Sequence, residues 1–579
     1  MKQVLDICRR GFSRLDGSGK RALFTYVLSL VITAGIDGWA LLLVSKMLDR
    51  GLNEYASHGL SSEKSSMLLI TALFVIRSVI AVLISWWATK KMSSQEVLIG
   101  SENFARIQSG PWEDRQEDQL SDLYTKVDRG PWALAQGILF YCATIIAETA
   151  SAVVIFFILV FLQPITAVTA VGYFMFVAVL QHKLISVSSK NAGQLTLDKG
   201  NRVYDVLSDA FHLGKLLHVM QSKSLPEVLQ RERNGYAQAR SQSLFYESLP
   251  RYLMEASLAF GFVIIGGATY IFGDSSRVIS ALALFAVAGF RLLPSVNRIQ
   301  GLILALYARI PLSLEALAVK PVLTSENLVI KQQLESSEIT SKYVLELNEV
   351  SYRYPNSMKD AINKATISFE RGLLYAIVGP SGAGKTTFVD VCLGILKPTG
   401  GEVRELAAEI RYAYVPQHTH LAGVSLEGNV ALEWDDSFVN HDLARDVMGQ
   451  ALIENVFDER LVQPGSSAMS GGQMQRIGIS RALYRNPNFL VLDEATNALD
   501  AFTENEIVCL VEKLRTAMTV LVVAHRLSTV RNADKVIYFD EGEIKGIGTF
   551  SELQEQLPKF AEQVNLGLFM HGDEGLTFG

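Results

Sequence analysis

Gly379-Pro380-Ser381-Gly382-Ala383-Gly384-Lys385-Thr386-Thr387 concentrates glycines, hydroxyls and one lysine in a short stretch. The apolar run Leu373 to Val378 before it predicts a strand, and the residues from Thr386 onward predict a helix. Glycines in such a loop let backbone N–H groups close on phosphate oxygens, aided by the positive end of the following helix. Lys385 then reaches the β- and γ-phosphates of a nucleotide, and the Thr386 hydroxyl joins the shell of Mg²⁺. The expected cofactors are therefore ATP and Mg²⁺. A second apolar run, Phe489 to Leu492, predicts a strand ending in Asp493 and Glu494. Asp493 is placed to hold the Mg²⁺ shell. Glu494 is placed to polarise an attacking water as general base, a contribution of about 10² to 10⁴ in rate.

Between and around these two clusters stand Tyr354-Pro355, Tyr414-Val415-Pro416-Gln417, Ser470-Gly471-Gly472-Gln473, Asn497-Ala498-Leu499-Asp500 and His525, in that order. The ordered set resembles the nucleotide-binding domain of the ABC transporters. That resemblance implies that Tyr354 stacks on adenine and that Gln417 contacts Mg²⁺ or water. Ser470, Gly471, Gly472 and Gln473 would face the nucleotide held by a second subunit, and His525 would touch the γ-phosphate. The catalytic set it implies is Glu494, His525, Lys385 and Gln417, with Thr386, Gln417 and Asp493 as metal ligands. Gln463-Pro464-Gly465 departs from the acidic, glycine-flanked segment of many exporters, which bears on contacts between subunits and not on ATP binding.

The chain has 579 residues, too many for one compact core. Hydrophobic residues make up 49% and charged ones 19%, averages that conceal an apolar N-terminal half and a C-terminal half of soluble composition. Six stretches approach the roughly 20 apolar residues that a bilayer demands: Ala22 to Val44, Met67 to Ala88, Gly137 to Leu162, Ile165 to Leu180, Tyr252 to Phe272, and Val278 to Leu293 with its continuation. The first follows a basic N-terminal segment, is too long for a signal-peptide core and lacks a small-residue cleavage site, so it reads as a retained span. Lys and Arg crowd the N-terminal segment and the loops Thr89 to Pro131 and Gln181 to Pro250. By the positive-inside rule both termini and the ATPase domain are then cytoplasmic, in what is expected to be a bacterial inner membrane. A net charge of -6 and pI near 5.9 give no global basic signal, which argues against nucleic acid as the main partner. Cys8, Cys142, Cys392 and Cys509 show no paired spacing and read as reduced packing residues.

Six spans with an ATPase behind them match an exporter-type ABC half-transporter: a six-helix transmembrane domain followed by an α/β P-loop NTPase domain. The expected domains are 1–318 (six spans and two cytoplasmic coupling loops), a linker at 319–342, and 343–579 (nucleotide-binding). Coupling helices are expected around Asp122-Leu123-Tyr124-Thr125 and Asp209-Ala210-Phe211-His212, the linker is expected to include Pro311 and Pro321, and Tyr343 to Tyr352 reads as an edge strand. Arginine at a span's centre costs about 2.5 to 3.5 kcal/mol on insertion scales, so Arg77, Arg251 and Arg291 need partners or a polar cavity. Asp37, Glu148 and Glu255 supply acids for internal pairing. The other reading is a basic lining for an anionic cargo. Phe290 to Ile299 and Pro250 to Glu255 resemble the lipid-linked oligosaccharide flippases of bacterial N-glycosylation, which implies a polyprenyl-pyrophosphate glycan as cargo. The alternative is export of a drug, lipid or peptide. The expected partners are a second copy of the chain, membrane lipids and that cargo; a regulatory ATPase without transport is disfavoured by the six spans.

Overall fold

The computed structural model describes residues 2–53, 60–112, 119–162, 164–213, 217, 224–272, 278–319, 342–355, 357–407, 409–453, 469–494, 509–515, 517–524 and 527–565. The chain forms two compact units: residues 1–110 with 114–322, and residues 323–579 with 111–113.

In the first unit a short amphipathic helix α1 (Lys2–Arg14) precedes α2 (Gly17–Asn53) and α3 (Leu60–Ser109). A short α4 (Leu120–Tyr124) runs through two π-helical segments, Thr125–Arg129 and Ala133–Leu139, into α5 (Phe140–Leu162). Then come α6 (Pro164–His212), α7 (Ser224–Phe272) and α8 (Val278–Ala318). The long helices extend well beyond the apolar stretches, because the polar flanks keep a helical pattern. Among the described residues, five helical segments are long and apolar enough to cross a membrane.

Close packing here relies on small residues, as expected where lipid supplies no hydrophobic drive between helices. A side chain at Gly193 of α6 would strike the Ala308 backbone of α8, and Ser189 donates to the Leu304 carbonyl at 2.8 Å. Buried Asn103 is a polar hub: its Nδ2 donates to the carbonyls of Lys126 (2.9 Å) and Ala316 (3.0 Å), while its Oδ1 accepts from Arg14 at 2.8 Å.

Several sequence expectations change. The stretch at Asp122 lies on the short α4 leading into a π turn, but Asp209 to His212 is the last turn of α6 and not a separate helix, since no proline falls between Pro164 and His212. Pro311 lies inside α8 and not in a linker; the helix carries it and Pro294 without ending. Pro321 and most of the expected linker lie outside the described residues, as do residues 54–59 between the first two spans. Cys8 and Cys142, which 134 positions of sequence separate, bring their thiol sulfurs to 3.1 Å between α1 and α5, and both are free.

The second unit has two sheets. β1 (Tyr343–Tyr352), β2 (Ile362–Glu370) and β4 (Gly400–Glu405) form an antiparallel sheet in the order β2-β1-β4. β1 is thus central and not an edge strand, and its alternation reflects one face packed on the core. The six-stranded sheet has the order β5-β6-β7-β3-β8-β9, from β3 (Leu374–Val378), β5 (Tyr412–Val415), β6 (Phe489–Asp493), β7 (Thr519–Val523), β8 (Lys535–Asp540) and β9 (Glu543–Gly548). It is parallel except for the β8–β9 pair. β3 and β7 are wholly buried, as their continuous apolar runs require. The carboxyl ends of β3, β5 and β6 meet at one edge, the place where parallel sheets bind ligands.

Asn103→Ala removes the donor to two buried carbonyls and the acceptor of Arg14. At about 1 to 3 kcal/mol per stranded buried group, the melting temperature of the detergent-solubilised chain falls by several degrees, as fluorescence-monitored unfolding measures.

Candidate functional site

The loop from Gly379 to Gly384 joins β3 to helix α9 (Lys385–Cys392). Its path depends on glycine at three points, the first being Gly379, where a side chain would strike the Phe539 carbonyl. Gly384 caps the helix at φ 104°, where a side chain would also meet the Ala361 carbonyl, and Gly382 sits at φ 79°. Lys385 opens the helix with only 8% of its surface exposed. Its Nζ donates to the carbonyls of Gly379 (2.7 Å) and Pro380 (3.0 Å). Burial holds the ammonium below its usual pKa, while the carboxylates of Glu494 and Asp493 oppose that shift.

An open cavity of about 840 Å³ lies over this loop, lined by Ser381, Gly382, Gly384, Lys385, Thr386, Thr387, Tyr354 and Glu494. Tyr354 packs edge-on against Tyr352 with centroids 5.1 Å apart, and its hydroxyl lies 3.1 Å from Thr387 Oγ1. Lys359, Asp360 and Glu541 also line the cavity, although no motif marks them in the sequence.

The carboxylate pair is held from the neighbouring strand. Glu494 stands just past β6 at φ 48°, in the left-handed region that L-residues seldom adopt, and its N–H donates to Val523. Gln417 Nε2 donates to Glu494 Oε2 at 2.7 Å, so two residues 77 positions apart that the motifs singled out are brought together. Tyr414 donates its hydroxyl to Asp493 Oδ2 at 3.0 Å. Burial and the Asp493 charge push the Tyr414 hydroxyl far above its ordinary range, so it stays a donor. Asp390, on the inner face of α9, is pushed up to about 6 by burial and by Asp493. Sequence reasoning passed over both Tyr414 and Asp390. The available signals were the tyrosine three residues before Gln417 and an acid set among the apolar residues Phe388 to Cys392.

Ser470 is the N-cap of α12 (Gly471–Tyr484), which among the described residues of this unit follows the α-helices α9, α10 (Leu426–Ala431) and α11 (His441–Gln450). It forms a capping box in which Gln473 N–H donates to Ser470 Oγ (3.3 Å) and Ser470 N–H to Gln473 Oε1 (2.9 Å). None of Ser470, Gly471, Gly472 and Gln473 is among the described residues lining the cavity of the same chain. His525, the segment Asn497 to Asp500 and Gln463-Pro464-Gly465 lie outside the described residues.

Gathered at this edge are a hydroxyl (Thr386), carboxylates (Asp493, Glu494) and an amide oxygen (Gln417). These hard oxygen donors suit Mg²⁺, and because Gln417 spends its nitrogen on Glu494, its oxygen is the atom left to face a metal.

In the membrane unit Arg77 is half-buried on α3. Arg251 pairs with Glu255 one turn away at 3.0 Å, with 70% of its side chain exposed. Glu148 pairs with Arg298 at 2.7 Å. Arg298 stands two helical turns after Arg291 in the same quoted segment, and its fixed spacing was the overlooked signal. The side chains of Arg291 and Asp37 lie outside the described residues.

Residues 362–497 match the protein family described as ABC transporter. A segment of the chain is similar to heterocyst differentiation ATP-binding protein HepA of Nostoc sp., 38% identical over 213 residues, which are 34% of this chain and 35% of that protein. It is similar to the ATP-dependent lipid A-core flippase of Vibrio vulnificus, 36% identical over 220 residues (35% and 38%). It also resembles the beta-(1-->2)glucan export ATP-binding/permease protein NdvA of Agrobacterium fabrum, 33% identical over 231 residues (38% and 39%). The matched segments thus span little more than a third of these relatives. The whole fold matches the structure of a bacterial Atm1-family ABC exporter with ATP bound, at a TM-score of 0.74 and 17% identity, covering 94% of this chain and 98% of that one.

The raised Asp390 predicts a pH dependence of stability. A carboxyl held up to about 6 in the fold, against 3.8 unperturbed, keeps its proton longer when folded. Its contribution to stability is therefore fully present below the lower value, is lost as pH rises through the interval, and stays lost above it. Asp390→Asn removes the penalty, so the variant gains melting temperature over the parent at pH 8 and not at pH 4, in parallel thermal scans.

Proposed function

We propose that the chain is an ABC exporter half-subunit, a reading that its matched domain and its exporter-like fold support, and that two copies hydrolyse ATP to move an amphipathic cargo out of the cytoplasmic leaflet. The observation that carries this reading is the Gln417–Glu494 contact of 2.7 Å beside the phosphate loop. It joins a nucleotide-sensing amide to the general base at the cavity edge.

In this mechanism the backbone of Gly379 to Thr387 cradles the phosphates, Lys385 turns from its loop carbonyls to the β- and γ-phosphates, and Tyr354 stacks on adenine. Thr386, Gln417 and Asp493 would hold Mg²⁺, which would supply neutralisation of the phosphate charge when bound. Glu494 orients and deprotonates the attacking water, with His525 holding the γ-phosphate in line. The N-terminus of α12, with Ser470, closes on the nucleotide of the partner subunit, so that each site is completed only in the dimer. Dimer closure and reopening alternate the access of the membrane cavity. Basic loops favour cytoplasmic termini in a bacterial inner membrane.

For cargo we favour a lipid-linked oligosaccharide. Its pyrophosphate suits guanidinium groups at Arg77, Arg251 and Arg291, and the similarity to proteins named for lipid A-core and glucan export supports a glycolipid or glycan class. The Arg251–Glu255 pair supports the competing reading for one of the three arginines.

Glu494→Gln keeps the donor contacts but removes the base, so ATP hydrolysis falls at least a hundredfold while ATP is still bound. Phosphate release and nucleotide binding by the purified chain check this, and hydrolysis near the parent rate overturns it.

The cargo reading predicts that replacing Arg77 and Arg251 together with Ala abolishes glycan-lipid movement in proteoliposomes and leaves basal hydrolysis within a few-fold. Structural arginines would instead show a lowered melting temperature and lost hydrolysis together.

A further inference from the structure

We propose that Tyr414 is a positioning residue that sets which oxygen of Asp493 faces the metal. This rests on the reading of Asp493 as the metal-holding carboxylate. No motif reasoning assigns Tyr414 a role; the geometry does. β5 and β6 run parallel with Tyr414 opposite Val491 and Val415 opposite Leu492, which sets the end of β5 beside Asp493. The two tyrosines of β5 divide the work. Tyr412 turns to the core, where its ring meets Phe489 edge-on at 5.8 Å and its hydroxyl donates to Glu405 at 3.2 Å. Tyr414 keeps 40% of its surface exposed and spends its hydroxyl on Asp493 Oδ2 at 3.0 Å.

A phenylalanine would fill the same space, so packing alone does not call for the hydroxyl. With Oδ2 held, Oδ1 is the oxygen presented to the metal shell, and the carboxylate loses the rotation that would let it collapse onto the Lys385 ammonium. The strand end thereby supplies one donor to each of two adjacent carboxylates: Tyr414 to Asp493 and Gln417 to Glu494. Outer donors of this kind orient first ligands, and their loss costs about 10-fold to 100-fold in metal affinity.

The test compares purified full-length parent, Tyr414→Phe and Tyr414→Gln. Mn²⁺ is titrated in the presence of ATP and followed by its electron paramagnetic resonance, and ATP binding is measured separately in excess chelator. Tyr414→Phe is expected to weaken Mn²⁺ binding about tenfold or more. It should shift the Mg²⁺ needed for half-maximal hydrolysis by a similar factor and leave chelator-condition ATP binding unchanged. Tyr414→Gln, which returns a donor, is expected to recover part of the Mn²⁺ affinity. Equal Mn²⁺ affinity in parent and Tyr414→Phe overturns the role of Tyr414, as does an equal loss of ATP binding in chelator, which marks a general collapse of the site. A parent that gains nothing from Mn²⁺ overturns the assignment of Asp493 itself. Should Tyr414→Phe fail to fold, Tyr414→Gln decides: parent-like Mn²⁺ affinity supports the donor role, and a loss as large as that of the chain with Asp493→Asn contradicts it.

Discussion

One buried ammonium and three acids have to coexist at the edge of a single sheet. Lys385 is nearly enclosed, and Asp493, Glu494 and Asp390 all bear on its surroundings. Left to themselves, such charges would pair directly and close the space a triphosphate needs. Local hydrogen bonds prevent this: the loop carbonyls of Gly379 and Pro380 take the lysine, Tyr414 takes Asp493, and Gln417 takes Glu494. Asp390 adjusts by holding its proton to about pH 6. Because β3, β5 and β6 fix where these groups end, the register of the parallel sheet is what keeps the site open.

The membrane unit answers a different constraint. Its long helices have no water-driven reason to associate, so they approach through glycine and serine and through buried polar hubs such as Asn103. Two π-helical segments between Thr125 and Leu139 interrupt the regular register next to that hub. Arginines on these helices are matched by acids in at least two places, Arg251 with Glu255 and Arg298 with Glu148. An anionic cargo that used Arg251 would have to compete with Glu255, which sits at hydrogen-bonding distance already.

Much of the candidate site was legible because its residues are compressed into short segments: the glycine loop needs particular residues at fixed spacing, and a strand ending in two acids is recognisable at once. The long helices were legible from apolar length, five segments among the described residues being long and apolar enough to cross a membrane. What failed was whatever depends on distant partners. The central place of β1 is decided by β4, 50 or so residues on, and not by its own alternation. The Cys8–Cys142 proximity and the Glu148–Arg298 pair join residues 134 and 150 positions apart, which no local pattern encodes. The end of α6 misled as well: the helix runs through Asp209 to His212, with Gly214 two residues beyond its last residue. Tyr414 was hidden for a simpler reason, since its role depends on strand register and not on any motif.

The most direct measurement joins the two units. The purified chain is reconstituted in sealed liposomes with a lipid-linked oligosaccharide, and the glycan left accessible to an external lectin is followed on vesicles whose ATPase domains face outward. If ATP hydrolysis drives the membrane unit, lectin-accessible glycan falls with time in Mg²⁺–ATP and stays constant with ADP or with the Glu494→Gln chain. Loss of accessible glycan at the same rate with ADP, or steady hydrolysis of ATP with no glycan moved, would contradict a coupled glycan-lipid flippase.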